Sequence, residues 1–318
     1  MKFKGNTDEG SARYWNDLAE VYQRETRIST TDFHYGPLLP GDSTLQLLPS
    51  IGKTDPESFQ CVENNMPAGS SGFRCLEIGS GAGQNSIFLA KQGAECVALD
   101  ISEEQLAHGR KLAKAENAAV DFQCVSMDSL EQLQNPPRPA GTPPEEGNSN
   151  APLHGRGGRS EATDGVGLFD LIHSSYALPF SADPERVIKE AAAMLKPGGT
   201  FLLTTGHPLY AGEWLEIGED EDGVFLPDYF QLEADVRMAL DDGAISEARY
   251  WPISQITEWI HAAGLSLERL LEPAPMPIPE MSEEQVLSDV PYDSADWRAL
   301  YPRLARIPVV VIFKCRCT

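Results

Sequence analysis

The sequence is poor in basic residues and has no long apolar run. Its 25 lysines and arginines stand against 48 aspartates and glutamates, which gives a formal net charge of -23. A surface this negative repels phosphate backbones and anionic lipids, and no local basic patch offsets it, so we expect neither a nucleic acid nor a membrane as a partner. No apolar run approaches the roughly 18 residues of a membrane span. The polar start also lacks the apolar stretch of a signal peptide.

Cysteine is scarce as well, and the six cysteines do not form a metal-binding pattern. Cys75, Cys96 and Cys124 lie in apolar, strand-like surroundings, which is typical of buried thiols. Cys315 and Cys317 lack the second pair of ligands that a zinc site needs. We therefore predict no metal site, and free thiols indicate a reducing, cytoplasmic location.

What the sequence does have is an alternation of strand and helix patterns from residue 73 onward. Apolar, strand-sized runs occupy 73–78, 95–99, 120–125, 168–173, 200–204, 266–271 and 307–314. Helical patterns occupy 84–92, 102–115, 184–195 and 254–263. Strands that alternate with helices in this way predict βαβ units and a parallel sheet, hence an α/β fold.

Three segments stand outside that alternation. Residues 1–72 combine a helical pattern at 14–22 with an aromatic loop and a polar linker, which predicts an N-terminal helical cap or lid before a main domain at 73–318. Residues 135–165 carry almost no large apolar residue, which predicts a flexible insertion. Residues 206–250 are rich in aromatic and acidic residues, and we expect this insertion on the substrate side.

The strongest chemical signal lies where the first predicted strand enters the first helix. Gly79, Gly81 and Gly83 alternate there, and glycines let the backbone turn tightly and approach a ligand. Glu77 lies two residues before the first glycine, where a carboxylate faces the ligand and can hold a cationic amino group. Asp100 ends the next strand, where a carboxylate can accept hydrogen bonds from both hydroxyls of a ribose.

These residues resemble the class I S-adenosylmethionine-dependent methyltransferases. The Glu-x-Gly-x-Gly-x-Gly run at 77–83 is similar to their first motif, and Asp100 to the acidic residue of their second. Residues 127–129, 169–174 and 195–200 resemble the later motifs, and all five occur in the family's order. Residues from Gly83 to Ile87 also resemble the group that contains ubiquinone/menaquinone-biosynthesis and small-molecule tailoring enzymes.

The resemblance implies a Rossmann-like, seven-stranded, mostly parallel sheet with helices on both faces, and S-adenosyl-L-methionine as the cofactor. The residues implied to contact it are Glu77, Gly79, Ser80, Gly81, Gly83, Asn85, Asp100, Ile101, Met127, Asp128, Ser129, His173 and Ser174. Two of these have another interpretation, since Asp128 could cap a helix and Ile101 could belong to the core. The implied activity is direct in-line transfer of a methyl group to an O, N, S or C atom of a small molecule, by a monomer or a homodimer.

The acceptor pocket should open above the carboxyl ends of the strands. The residues predicted to line it are Tyr14, Tyr22, Phe33, His34, Tyr35, Tyr176, His207 and Trp214. His207, on the turn after the fifth strand of the core, is the best candidate for a general base, and His173 and Tyr176 are the other catalytic candidates. Alternatively, His207 bonds its own loop, His173 is hydrogen-bonded in the core, and the N-terminal aromatics form a satellite core.

Three other functional classes remain open. An NAD-dependent oxidoreductase shares the strand-glycine-helix turn, but its spacing is GxGxxG rather than the GxGxG found here, and Glu77 would repel a pyrophosphate. A non-catalytic S-adenosylmethionine-binding module would keep every cofactor residue, because a fold does not establish chemistry. So would an enzyme that uses the cofactor for cyclisation or decarboxylation.

Overall fold

The structure, a computed structural model, describes residues 5–51, 72–133, 169–218, 221–239, 243–278, 292 and 295–318. Its N-terminal part contains the helices α1 (Asp8–Thr26) and α2 (Asp42–Leu45). The Thr7 side chain caps α1 by accepting a hydrogen bond from the N–H of Gly10 at 3.1 Å, which satisfies one of the free donors at a helix start. The helix predicted at 14–22 lies within α1.

The remaining elements follow in chain order. They are β1 (Arg74–Ile78), α3 (Gln84–Lys91), β2 (Glu95–Asp100), α4 (Glu103–Ala115), β3 (Val120–Cys124), β4 (Phe169–Ser175), α5 (Pro184–Met194), β5 (Leu195–Gly206), β6 (Glu213–Glu216), β7 (Asp222–Phe225), β8 (Asp235–Ala239), β9 (Gly243–Ala248), α6 (Ile253–Ala262), β10 (Leu265–Leu271), α7 (Ala295–Leu304) and β11 (Val310–Cys317). Seven of the strands form one sheet in the order β10-β11-β5-β4-β1-β2-β3. β11 is antiparallel to both neighbours, whereas the pairs from β5 to β3 are parallel. The predicted α/β fold with a seven-stranded, mostly parallel sheet is confirmed.

The central strands of the sheet are buried on both faces, to which alternate residues of a strand point. Phe313 of β11 packs in a cluster with Ile188 of α5 and Ile256 of α6. Ile312, its neighbour, packs in a second cluster with Leu89 of α3. Helices on both faces thus explain why the strands are continuous apolar runs.

Two segments outside the predicted strands and helices contain regular structure. Residues 206–250 include two antiparallel hairpins, β6–β7 and β8–β9, whose strands are short and carry many exposed side chains, so they lack the pattern of a core strand. Helix α7 contains Pro302, a residue that normally argues against a helix interior. The last strand begins at Val310 rather than at 307, because the apolar run starts before the sheet pairing does.

The predicted insertion at 135–165 lies outside the described residues, as does nearly all of the predicted linker at 52–72. Within the described ranges, no helix is both long enough and apolar enough to cross a membrane.

Candidate active site

A cavity of about 590 Å³ lies at the carboxyl ends of the parallel strands. Residues at or just after the ends of β1, β2 and β4 form its floor, and α1 contributes a long row of lining residues. Arg237 of β8 and Tyr250, just after β9, line it as well. The volume falls in the range of small-molecule sites, about 300–1,000 Å³.

The glycine turn after β1 shapes the floor. Gly79 has a φ of +68°, and a Cβ there would lie 2.2 Å from the Cβ of Ala177, so the approach of the loop after β4 requires glycine. At Gly81 a Cβ would meet only Gln105 Oε1, at 3.9 Å. The space above Gly81 is therefore open, and the turn forms a cradle that a ligand can enter.

Asp100, at the end of β2, holds this turn in place. Its Oδ2 accepts a hydrogen bond from the N–H of Gly81 at 2.7 Å, and its Oδ1 accepts one from the N–H of Ser102 at 2.9 Å. Burial raises the pKa of the Asp100 carboxyl to about 6, and the N–H donors oppose that effect. A carboxylate has about four acceptor positions, so the backbone donors leave room for a ligand hydroxyl.

Glu77 is the second acidic group of the floor, and it is 3% exposed. Its Oε2 accepts hydrogen bonds from the hydroxyl and the N–H of Ser86, at 2.5 and 3.1 Å. Its Oε1 lies 3.9 Å from Nδ1 of His173. Burial raises the pKa of the Glu77 carboxyl to about 7, so a nearby cation would favour its ionised form.

His173 lies inside the sheet, which corrects its prediction as a catalytic and cofactor-contacting residue. Its ring is fully buried, makes an edge contact with Phe33 at 5.0 Å between centroids, and has no hydrogen-bond partner among the described residues. Burial lowers the pKa of this imidazole to about 3, so the ring is neutral. Neither His173 nor the predicted cofactor residues Ser174 and Ser129 line the cavity.

The loop after β3 brings Met127 and Asp128 to the cavity, beside Ile101. The carboxylate of Asp128 accepts hydrogen bonds from the hydroxyl of Ser181 at 2.6 Å and from the N–H of Ala182 at 2.8 Å. This carboxylate therefore holds the segment that leads into α5, as the capping alternative requires. The prediction that Asp128 contacts adenine stays a prediction.

Asn85 of α3 fixes the loop that carries His34. Its amide accepts a hydrogen bond from the N–H of His34 at 2.7 Å and donates one to the carbonyl at 2.9 Å. The His34 ring lines the cavity, stacks on Tyr292 and lies 2.9 Å from the Tyr292 hydroxyl through Nε2. Burial lowers the pKa of His34 to about 4, so its imidazole is neutral near pH 7.

Phe33 and Tyr35, which flank His34, are core residues rather than substrate contacts. Both are almost fully buried, and neither lines the cavity. Phe33 packs against Phe88, and the Tyr35 hydroxyl donates a hydrogen bond to Asp42 at 2.5 Å. The structure thus corrects two of the three predictions in this loop and places only His34 at the site.

Tyrosine side chains form a large part of the cavity lining. The tyrosines that line it are Tyr14, Tyr22, Tyr176, Tyr210, Tyr250 and Tyr292. Tyr176 is hydrogen-bonded to Tyr250, and Tyr22 to Tyr292. Tyr176 also has a φ of +64°, a left-handed conformation that is unusual for an aromatic residue and is typical of functional sites. Its N–H donates to the carbonyl of Thr204 at 3.0 Å, which helps to hold that conformation.

His207 does not line the cavity, which corrects its prediction as the general base. Its Nδ1 accepts a hydrogen bond from the N–H of Leu209 at 3.1 Å, and its Nε2 lies 2.7 Å from Glu272 Oε1. Both nitrogens are therefore used to hold the loop after β5, as the alternative proposed. Trp214 lies on β6 beneath the guanidinium of Arg306, also outside the cavity.

A family model described as a methyltransferase domain matches residues 40–270. The chain belongs to the class I S-adenosylmethionine-dependent methyltransferases. This confirms the family and the cofactor predicted from the sequence, because S-adenosylmethionine is the methyl donor of that family.

Relatives of this methyltransferase agree with that assignment. The ubiquinone biosynthesis O-methyltransferase of Idiomarina loihiensis is 26% identical over 155 residues, which cover 49% of this chain and 51% of the relative. The chain thus matches about half the length of that relative. A solved S-adenosylmethionine-dependent methyltransferase from Mesorhizobium loti has a TM-score of 0.50 at 21% identity, over 79% of this chain and 93% of the other. The [4+2]-cyclase SpnF has a TM-score of 0.50 at 18% identity, over 98% and 96%. At these identities the structural likeness shows the fold alone.

The described residues fit the cofactor of the family. The cradle above Gly81 leaves room for a ligand, and the two acidic groups, Glu77 and Asp100, stand at the ends of neighbouring strands. Ile101 and Met127 add apolar surface beside them. Acids together with an apolar wall suit a ligand that has a cationic end, two ribose hydroxyls and an aromatic base.

Several lining residues were missed from the sequence, among them Arg237, Tyr250 and Tyr292. They lie outside the predicted strands and helices, and they are held at the cavity by contacts with α1 and with the loop after β4. A usable signal was the position of Arg237, a basic residue within the strongly acidic stretch 233–247.

Proposed function

We propose that this methyltransferase transfers a methyl group from S-adenosylmethionine to a small-molecule acceptor by direct in-line displacement. The observation that carries the proposal is that one cavity joins the acidic cofactor floor, Glu77 and Asp100, to a wall of tyrosine hydroxyls. We favour an oxygen atom as the acceptor, because the relative from Idiomarina loihiensis is named an O-methyltransferase.

The cofactor residues act by charge and by shape. S-adenosylmethionine supplies a methyl group on a positively charged sulfur, so the methyl carbon is already electrophilic. Glu77 would hold the amino group of the donor, Asp100 would accept from its ribose, and Gly81 leaves its backbone open to approach. Ile101 and Met127 would pack beside the adenine. The remaining proposed contacts are Gly79, Ser80, Asn85 and Asp128, whereas Gly83 lies against Phe122 and outside the cavity lining.

The acceptor side acts by enclosure and orientation. Tyr14 and Tyr22 of α1 line the cavity together with Tyr176 and Tyr250, so an acceptor would be enclosed by residues from both segments. Holding reactants in line can supply about 7–11 kcal/mol in well-oriented cases. The neutral imidazole of His34 can accept a hydrogen bond from an acceptor hydroxyl, and a base is needed only if the acceptor loses a proton.

The proposed organisation follows from this site. Residues 1–72 act as a cap or lid on a methyltransferase domain at 73–318, and 206–250 act as its substrate-side insertion. Support comes from α1 and from the hairpin β8–β9, which pack on each other and both line the cavity. The enclosed cavity and the net charge of -23 favour a small acceptor over a nucleic acid. A cytoplasmic location and a monomeric or homodimeric state complete the proposal.

The proposal is tested with methyl-deuterated S-adenosylmethionine and a metabolite extract, with products read by mass spectrometry. The expected result is a heavy methyl group in a small molecule, and Asp100→Asn should reduce this labelling roughly tenfold or more at a subsaturating cofactor concentration. Asp121→Asn is the matched control, since Asp121 is exposed on the neighbouring strand β3 and should leave the labelling intact. Cofactor binding without a labelled product would instead support a non-catalytic module or a cyclase. Binding of NADH in place of the cofactor would support an oxidoreductase.

A further inference from the structure

Arg237 is the only basic side chain in the described lining of the cavity, against six carboxylates. It lies on β8, in the hairpin that packs on α1, away from the cofactor floor at Glu77 and Asp100. In a chain with a net charge of -23, a single cation in a cavity of acids and tyrosines needs a chemical reason.

The guanidinium of Arg237 is only partly satisfied by its neighbours. Its Nη2 lies 2.6 Å from Asp235 Oδ2, and the hydroxyl of Tyr14 is hydrogen-bonded to it. Its Cζ lies 6.0 Å from the centroid of the Phe180 ring. Its Nε is buried and has no hydrogen-bond partner among the described residues. A buried donor without a partner costs free energy, so this group is suited to a ligand that accepts hydrogen bonds.

Tyrosine hydroxyls surround the same guanidinium. Burial raises the pKa of Tyr14, Tyr210 and Tyr250, and the positive charge of Arg237 offsets part of that rise. All three tyrosines line the cavity, and the rings of Tyr210 and Tyr250 lie 6.1 Å apart. The cluster therefore combines one guanidinium, which can only donate hydrogen bonds, with tyrosine hydroxyls, which can donate them as well.

We propose that Arg237, with the hydroxyls of Tyr14 and Tyr250, binds the carboxylate of the acceptor, so that the substrate is a small carboxylic acid. A planar guanidinium matches a carboxylate, and one cation among six carboxylates is too little charge for a phosphate. Asp235 already pairs with this guanidinium and competes with the ligand carboxylate. The proposal rests on the proposed function and names its substrate class.

The test is calorimetric titration of the full chain, saturated with S-adenosylhomocysteine, with cinnamate, with its neutral amide and with phenyl phosphate. We expect cinnamate to bind roughly tenfold more tightly than the amide, the size of one charge-assisted hydrogen bond. Arg237→Gln should remove this preference, and Asp235→Asn should strengthen it. Arg249→Gln is the matched control. Arg249 directly follows β9, pairs with Glu247 of that strand and does not line the cavity.

Each outcome has one meaning. Equal affinity for cinnamate and its amide, binding of neither, or a preference that survives Arg237→Gln would overturn the subsite and leave Arg237 as a partner of Asp235. Tighter binding of phenyl phosphate would overturn the assignment to a carboxylate. The titration with S-adenosylhomocysteine that precedes each experiment shows whether a variant is folded. It also separates the two proposals, since a wild-type chain that fails to bind this compound contradicts the proposed function itself.

Discussion

Two histidines near the strand ends serve different purposes. His34 lines the cavity, and its neutral ring lies against Tyr292. His207 is 4% exposed, and its two nitrogens contact the N–H of Leu209 and the carboxylate of Glu272. The first histidine is available to a ligand, whereas the second stabilises the loop that follows β5.

His207→Ala tests this difference. Because both hydrogen bonds of a buried ring are lost, we expect the free energy of unfolding to fall by about 1–3 kcal/mol, measured by urea denaturation. The affinity for S-adenosylhomocysteine should not change. His261→Ala, in the last turn of α6, is the control and should alter neither quantity. If His207→Ala were as stable as the wild type but lost methyl transfer, His207 would be the base after all.

At the scale of elements, α1 covers the cavity and is fixed to its neighbours by polar contacts as well as by the packing of Trp15 on Phe180. Gln23 is hydrogen-bonded to Gln105 at 2.8 Å and to Gln84 at 2.7 Å, and Asn16 accepts from the hydroxyl of Ser102 at 2.7 Å. Only three residues of this 19-residue helix are buried. A helix with few buried residues opens more readily than the sheet beneath it, which suits a cover over a ligand site.

Hydrogen exchange should detect this cover. We predict that saturating S-adenosylhomocysteine slows amide exchange in peptides that span α1, because a ligand beneath the helix adds contacts that opening would break. Peptides that span α6 should not change, since no residue of α6 lines the cavity. Unchanged exchange in α1 with a bound cofactor would contradict the role of α1 as a cover.

The elements also show where prediction from sequence succeeds. The meeting of Glu77, the glycine turn and Asp100 at one cavity was predictable because they lie within 24 residues, on strands with clear patterns. The acceptor side was not, because it joins α1 to the hairpin β8–β9 across more than 200 residues of chain. Local patterns do not predict that His34 lines the cavity while its neighbours Phe33 and Tyr35 belong to the core, because this difference arises only from tertiary packing.

For the whole molecule, the buried acids of the cofactor floor make stability depend on pH. The pKa of Glu77 is raised by burial from 4.5 to about 7, and that of Asp100 from 3.8 to about 6. The folded state therefore holds these protons more tightly than the unfolded state. Their effect on stability is absent below pH 4 and grows unfavourable as the pH rises toward 7.

Comparison of the wild type with Glu77→Gln isolates one of these groups. We expect the unfolding free energy of the wild type, relative to the variant, to fall by on the order of 3 kcal/mol between pH 4.5 and 7. Saturating S-adenosylhomocysteine should reduce this fall, because its amino group favours the ionised carboxylate. Urea denaturation across the pH series provides the measurement. A constant difference between the two proteins would show that Glu77 ionises normally in the folded state.

Binding of the methyl donor at the strand ends around Asp100 can be measured by calorimetric titration of S-adenosylhomocysteine into the wild type and Asp100→Asn. We expect one binding site per chain, an affinity weakened roughly tenfold or more by the substitution, and no binding of NADH. Equal affinity in the two proteins, or no binding to the wild type, would show that the donor does not bind at these strand ends.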